Sequence, residues 1–409
     1  MRILHAPVAY FPAYGGAELY FQKLSEAIKR MGHEVRVITT NVTAMDQCYN
    51  FLPNIKVPLF EKINGVEIKR FPYTANLYGF GRDWVGRIPF EFVKGPVGRR
   101  IIEFIHKQFG DFMEHEISEF NPDVVMTAHH GLFNVQKVHE IRKRRSFPLV
   151  MFPLIDFMSP RVVTKVIQDM LVQSDGILSC TNYEAEMIQD IFKIPKEKIY
   201  IISAGLDSKP LRDIPPPRTQ TVLYLGRKEL SKGILDLVEA MKLVWQTEPD
   251  AQLILAGQKL LEAKAIDNSI DRLPEAMKSR VRSYDNISEG QKNDLLSTAR
   301  CLVLPSKQES FGLVILEAWS CRTPVIALNM PVFHEIISPG KDGLLAEVDD
   351  RESLASAILY LLQHKDEAEE MGSAGRIKVE TNYVWNKVAE KCLVAYEKAM
   401  QEWNKKCLN

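Results

Sequence analysis

Apolar residues recur along this chain in two alternating rhythms, short continuous runs and longer stretches at helical spacing. "RILHAPV" (2–8) is a run of strand length, "AELYFQKLSEAIKRM" (17–31) has the apolar spacing of a helix, Gly32 ends that helix, and "EVRVITT" (34–40) is a second run. A strand, a helix and a strand in this order predict a parallel α/β sheet. Runs at "DVVMTA" (123–128), "PLVMFPLI" (148–155), "GILSCT" (176–181) and "IYIIS" (199–203) continue the pattern, with helical stretches between them. Together they predict one doubly wound domain.

The segment "LDSKPLRDIPPPRTQ" (206–220) breaks the rhythm, because Pro210 and the triplet Pro215, Pro216 and Pro217 cannot continue a helix or a central strand. A domain boundary is expected there. The alternation restarts with "TVLYLG" (221–226), a helix from Ile234, "AQLILAG" (251–257), a helix around 291–299, "CLVLPS" (301–306), a helix after Gly312, "PVIAL" (324–328) and "GLLAEV" (343–348). This predicts a second α/β domain, followed from about residue 353 by helices rich in Glu, Lys and Leu. Two such domains facing each other would leave a cleft, and open α/β sheets bind ligands at the carboxyl ends of their strands.

The length of 409 residues agrees with two domains. Apolar residues at 46% and charged residues at 25% place the chain among ordinary globular proteins. Lys plus Arg and Asp plus Glu balance at 52 each, so no overall basic field exists to hold a nucleic acid backbone, and none is expected as a partner. Cys48, Cys180, Cys301, Cys321, Cys392 and Cys407 contain no C-x-x-C pair or zinc-ligand spacing, which suits reduced thiols in the cytoplasm. Pro7, Pro12 and a Gly-Gly interrupt the first apolar run, so it does not read as a secretion signal. No window reaches the ~20 apolar residues that span a bilayer.

Three stretches carry candidate chemistry. In "ESFGLVILEAWS" (309–320) the backbone N–H groups of Ser310, Phe311, Gly312 and Leu313 are expected to form a helix start, which attracts anions. Gly312 would allow close approach of a ligand to the main chain. Glu309 stands beside those donors, and Glu317 lies on an otherwise apolar stretch, where a carboxylate is costly without a hydrogen-bonding partner; a capped helix with Glu317 on its solvent face is the alternative. In "LGRKELSKG" (225–233) Arg227 and Lys232 follow a strand and suit a diphosphate, the alternative being a solvated charged loop. In "YGGAE" (14–18) Gly15 and Gly16 open the first helix, either for a ligand or as an ordinary turn. The G-x-G-x-x-G dinucleotide fingerprint is absent, which disfavours a dehydrogenase.

Taken jointly, these residues resemble the retaining glycosyltransferases of family four. The likeness rests on the E-x7-E element from Glu309 to Glu317 with "TPVIA" after it, on Gly226, Arg227, Lys232 and Gly233, on "GGAE", on "AGLD" (204–207) and on "HEIISPGKDGLL" (334–345). It implies the α/β GT-B architecture, two Rossmann-like doubly wound domains facing across a cleft. Residues 1–205 would bind the acceptor and 206–385 the nucleotide-sugar donor, with a C-terminal helix at about 386–409 crossing back to the first domain. By the same resemblance Arg227 and Lys232 would bind the donor diphosphate, Glu317 the ribose hydroxyls, and Glu309 the donor sugar. Gly15, Gly16 and the backbone from Ser310 to Leu313 would line the donor. A histidine near the reacting sugar would be His129 or, with some preference, His130, in "PDVVMTAHHGLF".

The resemblance further implies retention of anomeric configuration, no metal, and no cofactor beyond the co-substrate, a UDP- or GDP-sugar. The product would be a glycan or glycolipid. The chain departs from the family pattern at Arg322, at Ser203 to Gly205, and at Asp156. For the acceptor, "YGFGRDWVGRIPFEFVKGPVGRRIIEFIHKQF" (78–109) mixes aromatic residues with Arg82, Arg87, Lys94, Arg99, Arg100 and Lys107. Together with "RKRR" (142–145) it suits peripheral contact with an anionic membrane or a lipid-linked acceptor, the alternative being an amphipathic helix packed on the core. Two other functions fit the architecture, a non-catalytic nucleotide-sugar-binding protein and a nucleotide-sugar epimerase.

Overall fold

The computed structural model of the chain describes residues 1–13, 15–42, 57–72, 96–128, 133–155, 157, 164–207, 218–259, 262–307 and 309–408, with the backbone alone at 96–106 and 133. It divides into two compact units, Met1–Ile202 together with Trp385–Asn409, and Ser203–Val384. The prolines at 210 and 215–217, and Asp156, lie outside the described residues.

The first unit is built on an eight-stranded sheet of β1 (Arg2–Ala6), β2 (Glu34–Thr40), β3 (Phe60–Ile63), β4 (Val66–Phe71), β5 (Val124–Ala128), β6 (Leu149–Phe152), β7 (Gly176–Ser179) and β8 (Ile199–Ile201). Their spatial order is β3-β4-β2-β1-β5-β6-β7-β8. Every neighbouring pair is parallel except β3 with β4. The seven parallel strands fall where apolar runs are continuous or where, in β4, apolar residues alternate. A parallel strand is covered on both faces, so its sequence is apolar at nearly every position. The β3–β4 hairpin was not expected. It turns at Asn64 and Gly65, both at positive φ (48° and 85°), the pair that a tight two-residue hairpin favours.

Side chains alternate across β1. Leu4 and Ala6 join Phe109, Met113 and Ile117 of the helix Pro96–Phe120 in one core. On the opposite face His5 lies edge-on to Phe21, 5.9 Å between ring centroids, and bridges two helices. Its Nδ1 lies 2.8 Å from Ser25 Oγ on the helix Gly16–Arg30, and its Nε2 lies 2.9 Å from the hydroxyl of Tyr396 on the helix Trp385–Leu408. That last helix also seats Trp385 against Tyr20 and pairs Lys406 with Asp175 at 2.8 Å. It is thereby a structural member of the first unit, although it is encoded at the end of the chain.

The second unit contains β9 (Thr221–Leu225), β10 (Gln252–Gly257), β11 (Val281–Asp285), β12 (Cys301–Leu304), β13 (Val325–Leu328) and β14 (Gly343–Ala346). They pair in the order β11-β10-β9-β12-β13-β14, all parallel. Counted within the unit this is 3-2-1-4-5-6, the doubly wound order. β11 was not expected, because "VRSYD" is an exposed edge with no apolar run.

Burial lowers the pKa of His5 from 6.5 to about 3, since a charged imidazole would lose its hydration there. The unfolded chain takes up this proton below about pH 6.5 while the folded protein refuses it until about 3, so His5 favours folding above pH 6.5 and loses that contribution as the pH falls. His5→Gln is expected to remove about 2 kcal/mol from the stability lost between pH 7 and pH 5. Urea unfolding at both values measures it, with His139, whose pKa burial lowers to about 4, titrating in both proteins.

Candidate active site

In the second unit β9 and β12 are neighbours, with Leu223 opposite Leu302, yet the chain leaves β9 toward β10 and leaves β12 toward β13. Connections that diverge in this way leave a crevice at the carboxyl ends of the two strands. The described residues there are 226–233 after β9 and 305–307 and 309–312 after β12. Gly233 holds the two segments together. Its φ of 70° is left-handed, and a Cβ built on it would fall 1.9 Å from the carbonyl oxygen of Pro305. Only a residue without a side chain lets the helix Ile234–Thr247 start so close to the chain leaving β12.

Across this junction Lys232 Nζ meets Glu309 Oε1 at 2.7 Å, their side chains 15% and 17% exposed. The cation expected at a diphosphate and the carboxylate expected at the donor sugar are thus partners, joined from the two strands that define the crevice. Arg227 stands differently. Its guanidinium is 57% exposed and pairs with Glu229 at 3.0 Å, while its carbonyl accepts a hydrogen bond from the Tyr224 hydroxyl. Lys228, which sequence reading passed over, is buried and donates to Ser283 Oγ (2.6 Å) and Asp285 Oδ1 (2.5 Å), tying β9 to β11 across the end of β10.

Beyond Glu309 the helix begins directly after Gly312, as expected, but two of the expected N–H donors precede it. Its first residue is Leu313 and its cap is Gly312, so Ser310 and Phe311 lie in the preceding turn, with Phe311 packed edge-on against Tyr383. Gly312 has φ 86°, and a Cβ there would meet Leu304, Ile315 and Phe333 side chains at 3.1 to 3.4 Å. Its glycine is therefore required by the backbone conformation and by apolar packing, which corrects the expectation that it clears room for a ligand. No side chain caps this helix, leaving its first N–H groups available to an oxygen ligand. The helix is anchored behind by Trp319, whose Nε1 donates to the Asp342 carbonyl at 2.7 Å.

Glu317 is on the same helix and is largely withdrawn from water, its side chain 16% exposed, which removes the solvent-face alternative. Lys292, on the helix Glu289–Thr298, reaches Glu317 Oε1 at 2.7 Å and Glu289 Oε2 at 2.7 Å. Burial raises the pKa of Glu317 and Lys292 opposes that rise. For Lys292 burial acts downward, but the two carboxylates outweigh it and the pKa is raised. Nothing local in the sequence announced Lys292, since its partner is 25 residues away.

The model of the group 1 glycosyl transferases matches residues 212–378, which hold Arg227, Lys232, Lys292, Glu309 and Glu317, and that of glycosyltransferase family 4 matches residues 14–209. The chain belongs to the group 1, family 4 glycosyltransferases. Glycogen synthase from Mycobacterium tuberculosis is 25% identical over 402 residues, covering 95% of this chain and 92% of that protein. Among solved structures, sucrose-phosphate synthase from Thermosynechococcus elongatus superposes with a TM-score of 0.76 at 21% identity, over 97% of this chain and 99% of that one. Anabaena HepE in complex with UDP and glucose gives 0.71 at 16% identity, over 97% and 99%. The fold is accordingly GT-B, and the protein is a glycosyltransferase.

In the first unit of this glycosyltransferase, Gly15 precedes the helix Gly16–Arg30 in an extended conformation, and a Cβ on it would fall 2.0 Å from Glu18 Oε2. The space beside Gly15 is taken by the enzyme's own buried carboxylate. His129 and His130 follow β5 directly and lie outside the described residues, as do residues 78–95 of the basic, aromatic stretch. From Pro96 that stretch is helical, and its Phe109 is buried. The "RKRR" run is not a free basic patch: Arg142 pairs with Asp175 at 2.5 Å under Trp403, and Arg144 and Arg145 both pair with Glu114. Among the described residues no helix is long and apolar enough to cross a membrane. His115, Glu116 and Glu119 bring potential ligand atoms within 4.8 Å of one another, but Arg36 and Lys69 already neutralise Glu116.

Gly233→Ala is expected to cost at least about 1 kcal/mol more than Gly340→Ala in urea unfolding. Gly340 has a similar φ of 78° with nothing within 4 Å of its Cβ position, so the difference isolates the approach to Pro305. Equal costs would remove that contact from the account of the site.

Proposed function

We propose that this glycosyltransferase takes a sugar from a nucleoside diphosphate donor, retains its anomeric configuration without a metal ion, and passes it to a sugar or lipid-linked acceptor. The observation that carries the reading is the Lys232–Glu309 pair at the strand-order reversal, beside an uncapped helix start. Breaking the bond from anomeric carbon to phosphate oxygen leaves positive charge on the sugar ring and negative charge on the departing diphosphate. Lys232, Arg227 and the N–H groups at Gly312 and Leu313 offer fixed positive charge and dipoles to the latter. A diphosphate at Lys232 competes with Glu309 for the ammonium, and the displaced carboxylate is then available to sugar hydroxyls. Glu317 accepts from the ribose hydroxyls. The acceptor oxygen attacks on the face the diphosphate leaves, its proton passing to a phosphate oxygen. Uridine is the first base to test, because the related HepE structure contains UDP.

Isothermal titration with UDP, GDP and ADP, with and without a chelator, tests the donor site, and the anomeric signal of the product by NMR tests retention. Lys232→Met is expected to weaken binding of the preferred nucleotide about tenfold or more, with wild-type binding unchanged by the chelator. Unchanged affinity in the variant would remove Lys232 from the diphosphate site, and loss of wild-type binding with chelator would replace the metal-free mechanism.

A further inference from the structure

The charged side chains around Glu317 are arranged in a way that the donor reading alone does not require. The helix carrying it is apolar, with Ile315, Leu316, Ala318 and Trp319 all buried, and a carboxylate in such a stretch is retained only with partners. Its partner is a single ammonium. Lys292 touches Oε1, and no contact is described at Oε2. The two side chains are each 16% exposed, whereas Glu289, the second carboxylate on Lys292, is 82% exposed and solvated.

The position of Lys292 is itself fixed. Its helix begins with a reciprocal capping box in which Ser288 Oγ accepts from the Gln291 N–H and Gln291 Oε1 accepts from the Ser288 N–H. Lys292 is the next residue, so the cap sets where its side chain departs, and the ion pair with Glu289 one turn back holds the chain in place. A lysine differs from an arginine here in a way that matters. An ammonium engages a carboxylate as a point charge at one oxygen, whereas a guanidinium presents a planar fork suited to both oxygens at once.

We propose that Lys292 is a positioning residue that fixes Glu317 through Oε1 and so presents Oε2, ionised and oriented, to the paired hydroxyls of the donor ribose. This rests on the donor-site reading above. The charged groups acting on Glu317 are Lys292 and Glu289, and the neighbouring Cys321 thiol is kept protonated by burial. Without Lys292 the buried carboxylate would take up a proton more readily, so binding that needs the anion would weaken as the pH falls.

The experiment compares UDP with 2′-deoxy-UDP by calorimetry, from pH 8 to pH 5.5, in wild type, Glu317→Gln, Lys292→Met and Lys292→Arg. Lys292→Met is expected to lose about tenfold in affinity for UDP with little change for the deoxy nucleotide, and its preference for UDP over the deoxy nucleotide is expected to fall more steeply toward low pH than in wild type. Lys292→Arg, which keeps the charge and provides a second variant should the first fail to fold, is expected to restore the wild-type pH dependence of the UDP preference with reduced ribose discrimination. Wild-type discrimination and pH profile retained in Lys292→Met would overturn the role of Lys292 while leaving Glu317 at the ribose. Equal affinity of wild type for both nucleotides, unaffected by Glu317→Gln, would overturn the ribose reading and this inference with it.

Discussion

The ion pair between Lys232 and Glu309 spans the place where the second sheet's connections change direction, and the surrounding structure serves to bring its two halves within 2.7 Å. Lys232 comes from the turn after β9 and Glu309 from the turn after β12, 77 residues later. Neither turn would hold this position without Gly233, whose missing side chain lets the two segments press together at Pro305. Behind Glu309 the apolar helix Leu313–Ser320 is locked by its buried face and by the Trp319 indole. An ion pair with both partners largely withdrawn from water is costly unless it is well placed, and its best-attested use is to specify geometry. Here it specifies where positive and negative charge stand side by side at the mouth of a doubly wound sheet.

The same logic explains the electrostatics of the neighbourhood. Each described cation near the crevice has a carboxylate: Lys232 has Glu309, Arg227 has Glu229, and Lys292 has Glu317 and Glu289. Such a site is nearly neutral on its own, so an anionic ligand gains attraction by displacing or sharing internal partners. In the proposed donor site, binding would be an exchange between carboxylate and phosphate, and Glu309 would turn to the sugar once its ammonium is engaged elsewhere. In the first unit Glu18 occupies the corresponding helix start, its Oε2 only 2.0 Å from where a Cβ on Gly15 would stand, so a phosphate there would meet a carboxylate.

Much of the fold was legible because strands covered on both faces are apolar throughout, as in "RILHA", "TVLYL" and "CLVL", and because helices between them keep their spacing. What escaped was the sheet's margin. β11 is a polar edge strand held by backbone pairing to β10, and the β3–β4 hairpin mixes charge into short strands, although its Asn-Gly turn carried a readable signal. Of the site, Arg227, Lys232, Glu309 and Glu317 could be picked out as charges at strand ends or in apolar company. Their pairing could not, since it depends on residues brought together by topology. Lys292 and Lys228 look like ordinary surface lysines in the sequence, yet in the structure Lys228 is buried and Lys292 is only 16% exposed, each paired with a carboxylate. Conversely "RKRR" looked like a basic patch and is largely consumed by Asp175 and Glu114.

The most direct measurement of the central claim is a crystal structure of the enzyme with UDP bound. The account predicts the diphosphate at the carboxyl ends of β9 and β12, within hydrogen-bonding distance of Lys232 Nζ and the N–H groups at Gly312 and Leu313, with the Lys232–Glu309 contact lengthened from its 2.7 Å. A diphosphate seated instead at Gly15 and Gly16, with the Lys232–Glu309 pair intact, would contradict it.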